Sequence, residues 1–174
     1  MAGDIKAKYG TVNTFTVTNL HSLASSSSRE SGWTSASVAN TSDLSLDYII
    51  SATFTKAAAN TQAGFIDVRI YTALNSTPTW PDIFSSGTEG TEGTCTWHDT
   101  EQMNSAGRLL ASIEVDSSAS DVMTLPQTGI AQLFGVLPTH FAVYVGQNCA
   151  TSTNAGFAAS GSALYGIPVL QQYT

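Results

Sequence analysis

The chain has 174 residues, 42% of them hydrophobic, which suits one domain able to bury a core without a disulfide or a metal. Only 11% of residues are charged, against about 25% in an average protein, and the formal net charge is −7. That balance excludes broad disorder and argues against DNA or RNA as a partner, since phosphates select basic surfaces.

Residues 1–10 read as an extended N-terminal arm that packs only when a partner is present, ahead of one domain over residues 11–174. The opening Met1 to Lys6 lacks the apolar run of a secretory signal, and no stretch reaches transmembrane length. Synthesis in a cytoplasm, with no membrane contact, is the expectation. A weak strand candidate spans Thr11 to Thr18, and a polar segment runs from Ser22 to Thr41, with Trp33 inside it.

From Leu44 to Thr55 the pattern becomes definite. Leu44, Leu46, Tyr48, Ile50, Ala52 and Phe54 alternate with mostly polar residues, which predicts a strand with one buried face. Ile66, Val68, Ile70 and Leu74 repeat this against Asp67, Arg69 and Tyr71, and Asp67 with Arg69 reads as a solvated ion pair or a contact to a neighbouring strand. Leu109, Ala111, Ile113 and Val115 form a third alternating run, and Phe141, Val143 and Val145 a fourth. Val122 to Leu125, Leu133 to Val136 and Leu164 to Leu170 are weaker candidates. Ala63-Gly64, Gln127-Thr128-Gly129 and Asn154-Ala155-Gly156 mark turns, and no window carries a helical period with caps.

Short strands and polar turns predict an all-β single-domain antiparallel β-sandwich of about eight strands, with a jelly roll as the leading topology. The interruption from Asn75 to Gly107, with Pro78, Pro81 and glycines 87, 90 and 93, reads as one long loop. Loops of that length are uncommon unless functional or disordered. It carries Trp80 and Trp97, which are expected either to anchor a protein partner or to tuck back onto the sandwich edge.

Chemistry is sparse. Cys95, His98 and Asp99 stand close together, but a metal needs more ligands at matching positions, and His21 and His140 lie in separate segments. No Gly-x-Ser-x-Gly elbow occurs. Glu89 and Glu92 fall on a glycine-rich stretch that would hold catalytic carboxylates or calcium ligands poorly. A Cys95–Cys149 disulfide stays open, although a cytoplasm keeps most thiols reduced. No catalysis, metal or cofactor is expected.

Several runs together resemble a family of small tailed-phage virion proteins that act as capsid decoration or cement proteins. They are Asp4 to Gly10, Ser22 to Ser25 leading to Arg29-Glu30-Ser31, Asp43 to Asp47, Leu133 to Pro138, His140 to Val145, and Phe157 to Ile167. The resemblance implies a jelly-roll-like fold, a place on the outer capsid surface, and a major capsid protein of the HK97-like fold as partner. It also implies self-association as a dimer or trimer. The residues expected to touch partners are Ile5, Lys6, Lys8 and Tyr9 in the arm, with Trp80 and Trp97 in the loop. The alternative is a carbohydrate- or receptor-binding module, with sugars stacking on Trp33, Trp80 or Trp97.

Overall fold

The computed structural model describes residues 5–42, 44–73, 75, 77–150 and 156–173. In chain order these form β1 (Ile5–Tyr9), β2 (Asn13–Thr14), β3 (Ser31–Thr34), β4 (Val38–Ala39), β5 (Asp47–Thr55), β6 (Gly64–Ala73), β7 (Phe84–Ser86), β8 (Gly93–Trp97), α1 (Thr100–Ala106), β9 (Arg108–Val115), β10 (Val122–Gly129), α2 (Ala131–Phe134), β11 (His140–Gln147) and β12 (Ala163–Tyr173). Leu74, the Asn154-Ala155 pair, and Asp4 and Asp43 of the resemblance lie outside the described residues.

Two antiparallel sheets pack face to face, so the expected all-β sandwich is found. The first sheet runs β1-β12-β5-β10, with β2 continuing β1 along β12. The second runs β7-β8-β3-β11-β6-β9, with β4 also on β11. The excess over eight strands comes mainly from the two- and three-residue pieces β2, β4 and β7.

Alternation positions the principal core. Along β5 Tyr48, Ile50, Ala52 and Phe54 are buried and the intervening residues half-buried, as a period of two requires. They meet Ile66, Val68 and Ile70 of β6 and Phe141, Val143 and Val145 of β11, together with Trp33, Leu125 and Leu164. Each Val, Leu, Ile or Phe among them, fully buried, contributes about 1.5–3 kcal/mol.

A second cluster lies on the outer face of the second sheet. Tyr71, Ala142 and Tyr144 are covered there by Ile83, Phe84, Cys95, Trp97 and Met103. The cover is the segment read from sequence as one long loop, which instead folds into β7, β8 and α1. Asp99 starts the helix: its carboxylate accepts from the Gln102 backbone N–H at 2.7 Å, the ordinary N-cap bond. Seven residues are too few to show a helical period. With cover on both faces, all eight residues of β11 are buried.

Asp67 and Arg69 are therefore buried rather than solvated. Asp67 Oδ2 accepts from Arg29 Nε at 3.0 Å and from Arg69 Nη2 at 3.4 Å, and Oδ1 accepts from the Ser112 hydroxyl at 2.7 Å. Arg69 Nη1 donates to the carbonyls of Met103 and Gly107 at the end of α1. Tyr144 crosses the same face, its hydroxyl 2.6 Å from the Arg29 carbonyl oxygen. Gly32 makes room for it, since a Cβ there would stand 2.5 Å from that hydroxyl oxygen.

Other expectations are corrected. Leu44 and Leu46 stand outside β5 and are exposed, because Asn40 bonds both the N–H and the carbonyl of Ser45 and closes a turn there. Leu133 to Val136 is not a strand. Residues 131–134 form α2, whose Ala131 N–H donates to Asp47 Oδ1 at 2.7 Å; four apolar-rich residues do not distinguish helix from strand. The Thr11 to Thr18 candidate shrinks to β2. Gln127 to Gly129 lies inside β10, where a bulge takes up Pro126. Leu109 is exposed, because a bulge near it shifts the register of β9.

The Asp67 cluster generates a stability test. Asp67→Ala leaves Arg69 buried without its carboxylate, and urea denaturation should show a loss of about 3–5 kcal/mol. The double variant Asp67→Leu/Arg69→Met, which removes the charges together, should recover much of that loss.

Candidate interaction surfaces

The N-terminal residues are not a free arm. Residues 5–9 pair as β1 with Val169–Tyr173 of β12 in an unbroken register, Ile5 to Tyr173 and Tyr9 to Val169. The ladder breaks after Tyr9, opposite Pro168, which has no N–H to offer. There the Gly10 N–H donates to the Pro168 carbonyl at 2.8 Å, and β2 then resumes the pairing. β5 leaves β12 at the Asp47–Val169 pair, so residues 170–173 and β1 run on as a two-stranded ribbon. β1 buries nothing: all five residues are exposed, Ile5 at 60% and Tyr9 at 66%.

Residues paired across a ladder share a face, which sorts this ribbon. Ile5, Ala7 and Tyr9 share the face of Val169, Ile167 and Ile49, the outer face of the first sheet. Lys6 and Lys8 share the opposite face with Gln172 and Leu170. Among the described residues, neither lysine has a carboxylate partner. Tyr9, Val12, Ile49 and Ile167, with Gln127, line a shallow outer groove of about 440 Å³, and Tyr165 stands nearby at 41% exposure. Sequence reading missed Val12, Ile49, Tyr165 and Ile167. The signal was present in β5, where Ile49 puts a large apolar group on the supposedly polar face.

The two tryptophans of the covering segment separate. Trp97 is buried, its ring centroid 5.0 Å from Phe84 and 5.4 Å from Tyr144, so it is core and not a partner anchor. Trp33 is buried too, its indole N–H donating to Glu92 at 2.8 Å. Trp80 is half-buried, edge-on to Tyr71 at 5.2 Å. It lines an open cleft of about 520 Å³ with Pro81, Ala106, Arg108 and Phe134.

The glycine-rich stretch is pinned by its carboxylates. Glu89 Oε1 accepts from the N–H groups of Ile83 and Phe84, both at 3.1 Å. Glu92 accepts from Trp33 and twice from Asn19. Partial burial works against the Glu92 charge, but these hydrogen bonds outweigh it and hold the carboxyl below the usual carboxylate range.

The Cys95, His98 and Asp99 group does not converge on one site. Cys95 is buried in the second cluster, and burial, with the Glu89 charge, pushes its thiol far up. His98 points to Asp82 at 3.4 Å on the surface, while Asp99 caps α1. Cys149 lies in the other core and both thiols are free. No set of three or more His, Cys, Asp or Glu placed to hold a metal occurs among the described residues.

Comparison with family models, curated proteins and solved structures gives no match for this chain.

Two outcomes check these assignments. Because burial raises both thiols, maleimide at pH 8 should label neither in the native chain and both in urea; rapid native labelling of Cys95 contradicts its placement. Because Glu92 is depressed in the folded chain, its contribution is present above the ordinary glutamate range and lost as pH falls through the folded value. Glu92→Gln should therefore flatten the acid limb of the unfolding curve between about pH 5 and pH 3.

Proposed function

We propose that this chain is a structural, protein-binding component of a tailed-phage particle, seated on the outside of the capsid and stabilising it by bridging major capsid protein subunits. The observation that carries the protein-binding half is the asymmetry of the sandwich. On the second sheet the segment carrying Ile83, Phe84, Trp97 and Met103 covers Tyr71, Ala142 and Tyr144, whereas the first sheet leaves an apolar patch at Tyr9, Val12, Ile49 and Ile167 beside an open strand edge. Contiguous apolar surface of this kind marks interaction sites, and an open edge offers main-chain groups to a partner strand.

The capsid half rests on the resemblance of the runs from Asp4 to Gly10 and from His140 to Val145, among others, and the jelly-roll topology belongs to the same reading. A decoration protein needs a rigid body with contacts repeated over many copies, so modest single contacts suffice through avidity. Few charges on the rest of the surface leave salt little to screen away from the Lys6 and Lys8 edge. Dimer or trimer formation on the particle is part of the proposal, as is the absence of catalysis, which the separation of Cys95, His98 and Asp99 supports. Removing residues 1–10 should lower occupancy on purified heads several-fold while the unfolding midpoint stays close to that of the intact chain, since β1 buries almost nothing. Full occupancy after that deletion counts against the edge as the attachment site.

A second reading is favoured by one feature, the half-buried Trp80 ring in an open cleft beside Arg108. Such a platform suits a saccharide. Glycan binding that disappears with Trp80→Ala, on heads that still carry the protein, would favour this receptor-binding reading over the first.

A further inference from the structure

We propose that the outer edge of β1 receives an extended acidic segment of a partner protein as one more strand of the first sheet, its carboxylates opposite Lys6 and Lys8. This rests on the protein-binding reading and specifies the chemistry of the partner.

The strand edges of the two sheets differ in how open they are. β10, the far edge of the same sheet, contains Pro126 and a bulge. β7 has three residues, and β9 is bulged in its pairing with β6. Proline, bulges, short length and charged side chains, lysine above all, are the usual means of closing an edge to other chains. β1 has only the lysines: Ile5-Lys6-Ala7-Lys8-Tyr9 lacks Pro and Gly and holds one register throughout. Among the described residues, nothing pairs with its outer side.

Charge then selects the occupant. The chain has six Lys and Arg residues. Arg29 and Arg69 are held by Asp67, and the buried Lys56 donates to the Asp116 carbonyl at 2.6 Å. Of the three that remain, two stand on β1, two residues apart on one face. A second copy is a poor occupant. Antiparallel pairing of two β1 strands about Ala7 sets Lys6 against Lys8 of the other copy, and parallel pairing in register sets each lysine against its equivalent. Like charges directly opposite destabilise a ladder, and opposite charges favour it. The lysines thus disfavour self-pairing in these registers and favour carboxylates at alternate positions.

The shape of the surroundings agrees. On the lysine face a groove of about 480 Å³, lined by Lys8, Gly10, Thr11, Pro168 and Leu170 among others, adjoins the edge. On the opposite face Ile5, Ala7 and Tyr9 continue the apolar row of Ile167 and Ile49. The matching segment therefore alternates acidic and apolar residues. Main-chain bonds supply the affinity and the alternate side chains the specificity.

The test uses the full chain with two soluble acetylated heptapeptides, TVEVEVT and TVKVKVT. The acidic peptide should bind and slow amide exchange in residues 5–9, whereas the basic peptide should not. Lys6→Glu/Lys8→Glu, checked for an unchanged unfolding midpoint, should weaken the acidic peptide by about tenfold or more and accept the basic one. Equal binding of both peptides, no effect of the charge reversal, or protection at β10 in place of β1 overturns the proposal. So does a wild-type dimer in sedimentation that protects residues 5–9. Peptide binding is independent of head occupancy, so a chain that takes the acidic peptide but fails on heads overturns the capsid reading alone.

Discussion

A buried carboxylate organises this molecule. Asp67 lies on the outer face of the second sheet, and a charge there must be neutralised or moved back to water. Arg69 from its own strand, Arg29 from the turn before β3, and the Ser112 hydroxyl from β9 converge on it. Arg69 then turns its other nitrogen to the carbonyls of Met103 and Gly107 at the end of α1. The covering segment is thereby held at its helix, and Trp97, Met103 and Phe84 close over Tyr71 and Tyr144. A buried pair of this kind adds little net stability over apolar replacements. Its effect is to fix one arrangement of sheet, turn and helix.

That arrangement makes the two sheets unlike. In the second, β11 is buried throughout, and Phe65 and Leu109 stay exposed beyond the covering segment. The first packs only on its inner side, so Ile49, Ile167 and Tyr165 are left on a surface next to the β1 edge. Lys6 and Lys8 stand exposed on that edge without a carboxylate partner among the described residues.

Where one strand face was apolar and the other polar, the sequence was sufficient. Tyr48, Ile50, Ala52 and Phe54 could be placed by alternation alone, as could Val143 and Val145. Periodicity says which side of a strand is apolar, but not how many layers will cover it. That is why Asp67 and Arg69 read as a solvated pair or a contact to a neighbouring strand, of which Ser112 on β9 supplies the second, and why Trp97 read as an anchor or as edge packing when it is core. The helices α1 and α2 are too short to show a period, although Asp99, three residues before Gln102, had the form of a cap. Glycines 87, 90 and 93 suggested flexibility, while the restraint came from Glu89 and Glu92 folding back onto backbone and indole N–H groups. Of the interaction surface, Ile5, Lys6, Lys8 and Tyr9 were legible as a terminal segment. Its continuity with Ile49 and Ile167 depends on a pairing with β12 that only the fold supplies.

The most direct measurement is cryo-electron microscopy of intact particles with this chain traced among its neighbours. The account predicts density for the capsid protein against β1 and the outer face of the first sheet, with the covering segment of the second sheet turned away. A chain attached through that covering segment, with Ile5 to Tyr9 facing solvent, would contradict it.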